Sequence, residues 1–244
     1  MRKIKNFKIS CLFFMALIAV VACKEKDNTL KVSNDVVFLK KVIDNETRYG
    51  IAYYLQTNQG LDSVTVTMPL GGKSVKLKQH ETNTYLFMRE PSNSEFTNIA
   101  PVDGDYLFKI ASKKGEYLEV ADEQHFSDLP FAEIDSTGFD TGSLWFYVRW
   151  VKVPSADAYE LMLFKSSGEM IFNSITVPAT ASTEYKISAF HITGTWVEAP
   201  KKDQKYKLKI NAIKYDSATN KDDYYNVQEI SETVYAKEIT WQLE

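Results

Sequence analysis

Short stretches of alternating apolar and polar residues recur from about residue 35 onward, and no long stretch has the 3.6-residue period of an amphipathic helix. Successive side chains of a β-strand point to opposite faces, so this alternation predicts strands with one buried face. In the first half we expect strands, separated by turns rich in Gly, Pro, Asn and Asp, over 35–43, 48–56, 63–68, 74–79, 84–88, 105–111 and 116–120. This spacing is typical of an immunoglobulin-like sandwich.

The second half alternates more clearly. Four residues of a strand over 143–153 share one parity, which predicts that they face the core: Leu144, Phe146, Val148 and Trp150. The same pattern predicts core positions on two further strands: Tyr159, Leu161, Leu163, Tyr206, Leu208, Ile210 and Ala212. The polar residues around the last four are expected to face water: Lys205, Lys207, Lys209 and Asn211. A last strand or strand pair is expected within 227–241.

Three features of this half resemble a fibronectin type III domain. They are Trp150 late in the second strand, the turn from Pro154 into the third strand at 158–161, and Tyr206 to Ala212 in the sixth. In that family the tryptophan and the tyrosine are core or corner residues, so the resemblance implies a fold and no chemistry. The fourth and fifth strands are not evident in the sequence, because 188–203 is irregular for the family.

The two halves meet within 121–141, a stretch of acids, a proline and glycines without clear alternation. We therefore expect an all-β chain with two tandem immunoglobulin/fibronectin-like antiparallel β-sandwiches. The first is an immunoglobulin-like sandwich over residues 34–125, and the second is a fibronectin type III-like sandwich over residues 131–244.

The first 22 residues have the pattern of a secretory signal peptide. A basic start is followed by an apolar run over 9–22, which is short of the ~20 residues that span a bilayer. The sequence Val20-Val21-Ala22-Cys23 resembles a bacterial lipobox, which implies cleavage after Ala22 and lipid attachment to Cys23. Residues 1–22 are then the signal peptide and residues 23–33 a lipidated tether. An ordinary signal peptide with an incidental cysteine, or a short membrane anchor, remains the alternative.

The residues after the lipobox bear on the location of the protein. A lysine followed by acidic residues, in Lys24-Glu25-Lys26-Asp27, resembles the surface-export signal of Bacteroidota lipoproteins. A merely solvated tether is the alternative. With the fibronectin-like second half, the chain resembles a Bacteroidota-type surface lipoprotein, which implies an outer-membrane, lipid-anchored protein at the cell surface.

Charge argues against electrostatic partners. The chain has 29 basic and 32 acidic residues, and loss of residues 1–22 removes four basic residues and no acidic one, which changes the net charge from -3 to -7. A basic footprint is absent, so we expect no nucleic-acid partner. The membrane is expected as a partner only through the lipid on Cys23.

Motifs for catalysis are missing from the sequence. Of the two cysteines, Cys11 lies in the signal peptide and Cys23 is the lipid site, so no disulfide framework is expected. The three histidines lie in different segments, and no GxSxG, HExxH or phosphate-loop pattern occurs. We expect no catalytic residue, no metal and no cofactor. An acidic cluster near the junction has the residue types of a calcium site, but a solvated linker explains it as well: Asp122, Glu123, Asp128, Glu133 and Asp135.

Aromatic surface is the better indication of function. If Trp150 faces inward, then Trp145, Tyr147 and Arg149 face outward, where rings beside a guanidinium suit sugar rings or protein partners. The alternative is that the first domain or the loop with Trp196 covers this face. A second candidate is the loop with Tyr224 and Tyr225, unless these two tyrosines begin the final strand.

These observations favour a non-catalytic, lipid-anchored cell-envelope protein that presents β-sandwich domains for adhesion or for binding a ligand, either a glycan or a protein. One alternative is a structural subunit or anchor of a surface assembly, resembling fimbrillin-type lipoproteins, although both halves contain enough strands to complete their own sandwiches. The other is a glycan-degrading accessory enzyme, which small sandwiches rarely accommodate because they lack a cleft.

Overall fold

The computed structural model describes residues 29–189, 193–216 and 226–243. Its first half contains eight strands: β1 (Val32–Ile43), β2 (Glu46–Thr57), β3 (Leu61–Thr67), β4 (Ser74–Lys76), β5 (Lys78–Gln79), β6 (Leu86–Arg89), β7 (Gly104–Ser112) and β8 (Tyr117–Gln124). Two short 3-10 turns lie among them, at Pro69–Gly71 and Asn93–Glu95.

The second half continues with ten strands: β9 (Ile134–Asp140), β10 (Trp145–Trp150), β11 (Ala158–Lys165), β12 (Met170–Ser174), β13 (Val177–Pro178), β14 (Glu184–Ile187), β15 (Gly194–Trp196), β16 (Lys205–Tyr215), β17 (Val227–Val234) and β18 (Ile239–Thr240). No α-helix occurs in the described part of the chain, and the all-β prediction is confirmed.

The first sandwich places strands β1, β2, β6 and β5 in one sheet and β4, β3, β7 and β8 in the other. Every strand expected here is present. The expected strand over 74–79 is divided at the buried Leu77, whose N–H donates to the Val64 carbonyl at 3.0 Å. The chain changes sheets at this point, because β4 pairs with β3 whereas β5 pairs with β6.

The second sandwich packs β9, β10 and β14 against β15, β12, β11, β16 and β17. Strands β9 and β10 thus lie in one sheet, and β11, β16 and β17 lie in the other. This is the immunoglobulin-type arrangement, so the fold class is confirmed. The predicted inward residues are buried: Phe146, Val148, Trp150, Tyr159, Leu161, Leu163, Tyr206, Leu208, Ile210 and Ala212.

Two inward or outward assignments in this half were wrong. Leu144 is 39% exposed, because it lies in the turn before β10 with a φ of 59° and does not share the strand's alternation. Asn211 has its side-chain oxygen enclosed without a hydrogen-bond partner in the described chain, since the neighbouring strands β11 and β17 flank it. Lys209 is half-buried, and its ammonium lies 4.7 Å from the centroid of the Phe164 ring.

One sheet continues through both sandwiches. Strand β1 pairs in parallel with β17, in the register Phe38 to Glu229 and Lys40 to Ser231, so an eleven-stranded sheet contains strands of both halves. Residues Val32–Glu244 accordingly form one compact unit. Parallel pairing between strands so distant in sequence leaves no local pattern, and the sequence did not predict it.

The connection between the sandwiches is held to this shared sheet. The buried carboxylate of Glu229 accepts hydrogen bonds from the N–H groups of Asp128 and Leu129, at 3.1 and 3.3 Å, and from the hydroxyl of Ser127. On the neighbouring strand, Lys40 forms an ion pair with Asp128 at 2.7 Å. The linker is therefore bound on both sides of the β1–β17 contact.

Candidate functional site

The inward face of the first sandwich changes character toward one end. On β2 and β6, Leu55 pairs with Phe87, and two residues further the cross-strand pair is Tyr53 and Arg89. Paired residues of antiparallel strands share a face, so Arg89 occupies a core-facing position in line with the buried Phe87. An aliphatic and aromatic core thus ends in a phenol and a guanidinium.

A loop between β6 and β7 forms one wall beside this pair. Two backbone hydrogen bonds connect Tyr49 with Thr97, at 2.7 and 2.9 Å, and hold the loop against β2. Gly50 makes room for it, because a Cβ at that position would lie 2.9 Å from the ring of Phe96 and 2.9 Å from Pro91. The loop's course therefore depends on a glycine in the middle of a strand.

The opposite wall is the turn between β3 and β4. Pro69 packs over Gly104, where a Cβ would lie 3.2 Å from the proline ring. Gly104 has a φ of 124°, a conformation that other residues rarely adopt, so this contact requires glycine. Leu70, at the tip of the turn, is 94% exposed.

Between these walls lies a cleft of about 580 Å³, open to solvent. Its lining combines tyrosine rings, an ion pair and apolar loop residues, including Tyr49, Tyr53, Arg89, Glu95, Val102 and Tyr106. The volume is within the range of ~300–1,000 Å³ that is common for ligand sites. Two large apolar side chains of its lining are exposed, Ile99 at 73% and Val102 at 50%.

Arg89 is held in place by a short polar network. Its guanidinium donates to Glu95 Oε1, while Glu95 Oε2 accepts from the N–H and the hydroxyl of Ser92, both at 2.9 Å. The hydrogen bonds from Ser92, more than the charge of Arg89, hold the pKa of the Glu95 carboxyl below its usual value. The carboxylate therefore stays ionised and positions the guanidinium at the cleft wall.

Tyr53 brings an unsatisfied hydrogen-bonding group to the same place. Its side chain is fully buried, and its hydroxyl has no hydrogen-bond partner in the described chain. By contrast, the hydroxyl of the neighbouring Tyr106 donates to the Val102 carbonyl at 2.9 Å. Burial raises the pKa of Tyr53 to about 12, against the opposing effect of the Arg89 charge, so the phenol is neutral and available as a donor.

A second cleft of about 580 Å³ lies on the other side of the Arg89–Glu95 pair, and both residues line it too. Apart from Met88, its remaining lining is polar and includes Lys76, Lys78, His80, Glu81 and Glu90. His80 is turned toward its own loop, since its Nδ1 accepts N–H bonds from Thr82 and Asn83 at 3.3 and 3.2 Å.

The predicted aromatic face on β10 is only partly open. Tyr147 is half-buried and lies across Gly138 of β9, where a Cβ would come within 2.9 Å of its ring. Arg149 is exposed, lies 5.2 Å from the Tyr147 ring centre and pairs with Glu184 of β14 at 2.5 Å. Trp145 is half-buried. The structure thus brings Tyr147 and Arg149 together on one outer sheet surface.

Trp196, considered as a possible cover for that face, packs elsewhere. Its ring contacts Phe172 and Trp241, with centroids 4.5 and 5.9 Å away, and its indole N–H donates to the Ser188 carbonyl at 3.0 Å. It therefore belongs to the second core.

Several predicted residues lie outside the described part of the chain. They are Ala22, Cys23, Tyr224, Tyr225 and His191. The lipid site, the cleavage site and the tyrosine loop accordingly stay predictions.

Metal-ligand geometry is not found in the part of the chain that the structure describes. No group of three or more His, Cys, Asp or Glu side chains there is arranged to hold an ion. The acidic junction has other contacts: Asp128 pairs with Lys40, and Asp122 accepts the N–H of Val36 at 2.7 Å. Over the same residues, the structure contains no helix of the length and apolar character needed to cross a membrane.

No family model and no curated relative matches the chain. Solved structures do. Latent dimeric PorU from Porphyromonas gingivalis is 10% identical, with 90% of this chain and 21% of PorU covered and a TM-score of 0.30. The chicken CNTN1 FN1-FN3 domains are 13% identical, with 77% and 61% covered and a TM-score of 0.31.

A DUF3823 family protein from Bacteroides uniformis is 12% identical, with 83% of this chain and 99% of that protein covered and a TM-score of 0.28. The chain spans about a fifth of PorU and about three fifths of the CNTN1 fragment. At TM-scores this low the likeness carries no inference about function, and the fold rests on the strand order described above.

The cleft residues Tyr53, Arg89 and Tyr106 were not predicted from the sequence. A usable signal existed, since Arg89 follows Phe87 at the inward parity and lies one residue beyond the expected strand 84–88. A charged residue at a core-facing position indicates an ion pair or a site.

Proposed function

We propose that this protein is a non-catalytic, lipid-anchored cell-envelope protein and that its first sandwich binds a glycan in the cleft between Tyr53, Arg89 and Tyr106. The observation that carries the proposal is the end of the first core, where a buried phenol without a hydrogen-bond partner in the described chain and an oriented guanidinium line the cleft. Buried polar groups are normally paired, so this phenol is suited to donating to a ligand.

The chemistry of the cleft favours a sugar. Sugars combine apolar ring faces with hydroxyl groups. The half-buried ring of Tyr49 and the exposed Ile99 and Val102 supply apolar surface, while Arg89 supplies fixed donors. Burial keeps the pKa of the Tyr53 phenol high, so the hydroxyl donates over the whole physiological pH range. Binding a sugar requires no nucleophile, no metal and no pair of catalytic acids.

Cell-surface anchoring rests on the sequence alone. The lipobox-like residues before Cys23 and the following Lys-Glu-Lys-Asp stretch support a lipid anchor on the outer membrane of a Bacteroidota-type cell. Replacement of Cys23 with Ser should leave an uncleaved or soluble protein. If the variant still partitions with membranes in a lipid-dependent manner, the anchor is contradicted.

A glycan array probed with residues 24–244 tests the binding function, since this span includes the compact unit Val32–Glu244. We expect binding to at least one oligosaccharide, lost in Arg89→Ala and weakened in Tyr53→Phe. The Arg89→Ala substitution also removes the ion-pair partner of Glu95. Thermal unfolding of the variant therefore serves as a control, and it should show that the variant is folded.

The outer face of β10 is the second candidate, because Tyr147 and Arg149 form a ring and guanidinium pair on an accessible surface. Binding that survives Arg89→Ala and Tyr53→Phe but is lost in Trp145→Ala or Arg149→Ala would place the ligand there. The Tyr225→Ala variant tests the loop with Tyr224 and Tyr225, which lies outside the described residues. An array without any bound sugar would contradict both and favour the structural-subunit alternative.

A further inference from the structure

We infer that the ligand is an extended acidic oligosaccharide, whose anionic group binds the lysines of the second cleft while a neighbouring sugar ring occupies the first. This inference rests on the proposed glycan binding and adds the charge and length of the glycan. It follows from three observations: the continuity of the two clefts, the lysines without ion pairs along them, and the short strand at the edge of the second.

The two clefts are adjacent parts of one groove. Arg89 and Glu95 line both, and each cleft measures about 580 Å³. A ligand in either one therefore reaches the Arg89–Glu95 pair, and a ligand longer than one sugar ring is able to pass over the pair into the other cleft. Arg89 hydrogen-bonds Glu95 along this ridge and presents a planar polar surface to both sides.

The second cleft offers cations. Lys76 and Lys78 are both exposed, on either side of the buried Leu77, and both line this cleft. Lys73 lines the first cleft on the same wall. Neither Lys73, Lys76 nor Lys78 forms an ion pair within the described residues.

The acids nearby offset these charges only in part. Glu95 is occupied by Arg89 and Ser92, and Glu90 accepts the hydroxyl of Tyr54 at 2.7 Å. Glu81 is the remaining carboxylate of the second cleft. Over the two clefts together, four cations, Lys73, Lys76, Lys78 and Arg89, face three carboxylates, so the groove carries a net charge of +1 in a chain with a net charge of -3, and this favours an anionic group.

A peptide added as a strand fits less well. The open edge of the sheet next to the second cleft is β5, which is only two residues long, Lys78–Gln79. Strand addition draws its affinity from a row of main-chain hydrogen bonds, and two residues supply few of them. Side-chain recognition of an acidic sugar uses the lysines without requiring a long edge.

The test measures binding of residues 24–244 by isothermal titration calorimetry with three probes of comparable length. They are an oligogalacturonate, the same oligosaccharide as its neutral methyl ester, and a sulfated oligosaccharide. We expect the acidic probes to bind about ten-fold more tightly than the ester, with a preference that weakens at high salt. The first and third probes distinguish carboxylate from sulfate recognition.

The double variant Lys76→Gln/Lys78→Gln should reduce acidic-probe affinity about ten-fold and leave the methyl ester unchanged. A matched control is Lys113→Gln/Lys114→Gln, which removes the same charge from the exposed β7–β8 turn of the same sandwich. Equal binding of acid and ester, or equal loss in the control, overturns the inference.

The two proposals fail in different ways. Binding of the ester that depends on Arg89 and Tyr53, without any preference for acid, contradicts the acidic ligand and supports the glycan cleft. Acid binding that is insensitive to Lys76 and Lys78 assigns the anion to another surface and overturns the inference. If none of the three probes binds, the inference is wrong, and if a Lys-rich or acidic peptide binds instead, the proposed glycan binding is wrong as well.

Discussion

The two sandwiches use the same kind of layered sheets but differ in how one end of the core is filled. In the second, Trp241 packs against Phe139, Phe146, Trp196 and Tyr206, with ring centroids 5.4 to 6.4 Å apart. In the first sandwich, Tyr53, Arg89 and Tyr106 lie at one end of the core and line a cleft. Aromatic side chains complete one core, whereas two tyrosines and an arginine border a cleft at the end of the other.

The difference also appears in the hydrogen bonds of buried tyrosines. Tyr159, in the second core, accepts the N–H of Val153 at 2.8 Å with its hydroxyl, and its side chain has no exposed surface. Tyr53 is equally buried and has no partner in the described chain. A structural tyrosine uses its polar end within the fold, whereas Tyr53 does not.

The largest effect is expected from Trp241→Ala, which removes the ring that completes the second core. Deleting a fully buried tryptophan costs about 3–5 kcal/mol in the free energy of unfolding, because a cavity remains. Urea denaturation measures it. The control Val197→Ala changes a side chain that is 64% exposed and should stay within ~0.5 kcal/mol. A loss below that of the control would show that Trp241 does not complete the core.

A smaller loss is expected from Glu229→Gln, which weakens the attachment of the linker to the shared sheet. The carboxylate accepts bonds from Ser127, Asp128 and Leu129, and hydrogen bonds to charged groups contribute about 1.5–3 kcal/mol. Denaturation should show this loss, and limited proteolysis should cut 125–133 faster. Glu232→Gln, which loses only a half-exposed pair with Lys209, is the matched control. Equal cutting in both variants would argue against linker attachment.

The two buried tyrosines test the comparison itself. Tyr159→Phe leaves the N–H of Val153 without its partner and should lower the free energy of unfolding by about 1–3 kcal/mol. Tyr53→Phe removes a hydroxyl that has no partner and should stay within ~0.5 kcal/mol while weakening glycan binding. Similar losses in both variants would mean that Tyr53 serves the fold and not a ligand.

The smallest effect is expected from pH, at the β1 end of the first sandwich. Burial raises the pKa of Asp35 from 3.8 to about 8 and that of Asp122 to about 6, with a further contribution from the nearby Asp216 charge. A raised pKa means that the fold prefers the protonated form. This contribution is fully present below pH 3.8 and is lost as the pH rises through about 8.

Thermal unfolding between pH 4 and pH 8 measures it. The melting temperature should fall gradually toward pH 8 in the native chain and less in Asp35→Asn, which stays neutral. The exposed Asp62→Asn variant controls for the loss of one charge. An Asp35→Asn variant with the native pH profile would contradict the assignment. Because Asp35 is only half-buried by its neighbours, solvent limits the size of the effect.

Most strands were predictable, because the alternation of side chains is a local property of the sequence. Phe146, Val148 and Trp150 are buried as their parity required, and Tyr206 to Ala212 repeat the pattern on β16. Leu144 was misassigned because a turn residue with positive φ breaks the alternation just before the strand. The division at Leu77 was missed because a sheet change does not alter the apolar pattern.

The candidate site was not predictable to the same extent. The parity of Arg89 and Tyr53 placed both side chains inward, but a cleft also required the loop 90–103 to fold against β2. That fold depends on the contacts of Tyr49 with Thr97 and on the space at Gly50, which are long-range. The outward direction of Tyr147 and Arg149 was predicted by parity alone, and their role in binding stays a prediction.

The sequence by itself determined the all-β class, the position of most strands and the face that each turns to the core, since these follow from side-chain alternation within a few residues. Only the tertiary structure decided the parallel contact of β1 with β17, the binding of the linker by Glu229, and the cleft beside Arg89. These features depend on residues far apart in the chain, whose proximity is set by packing and by pairing of polar groups in the folded state.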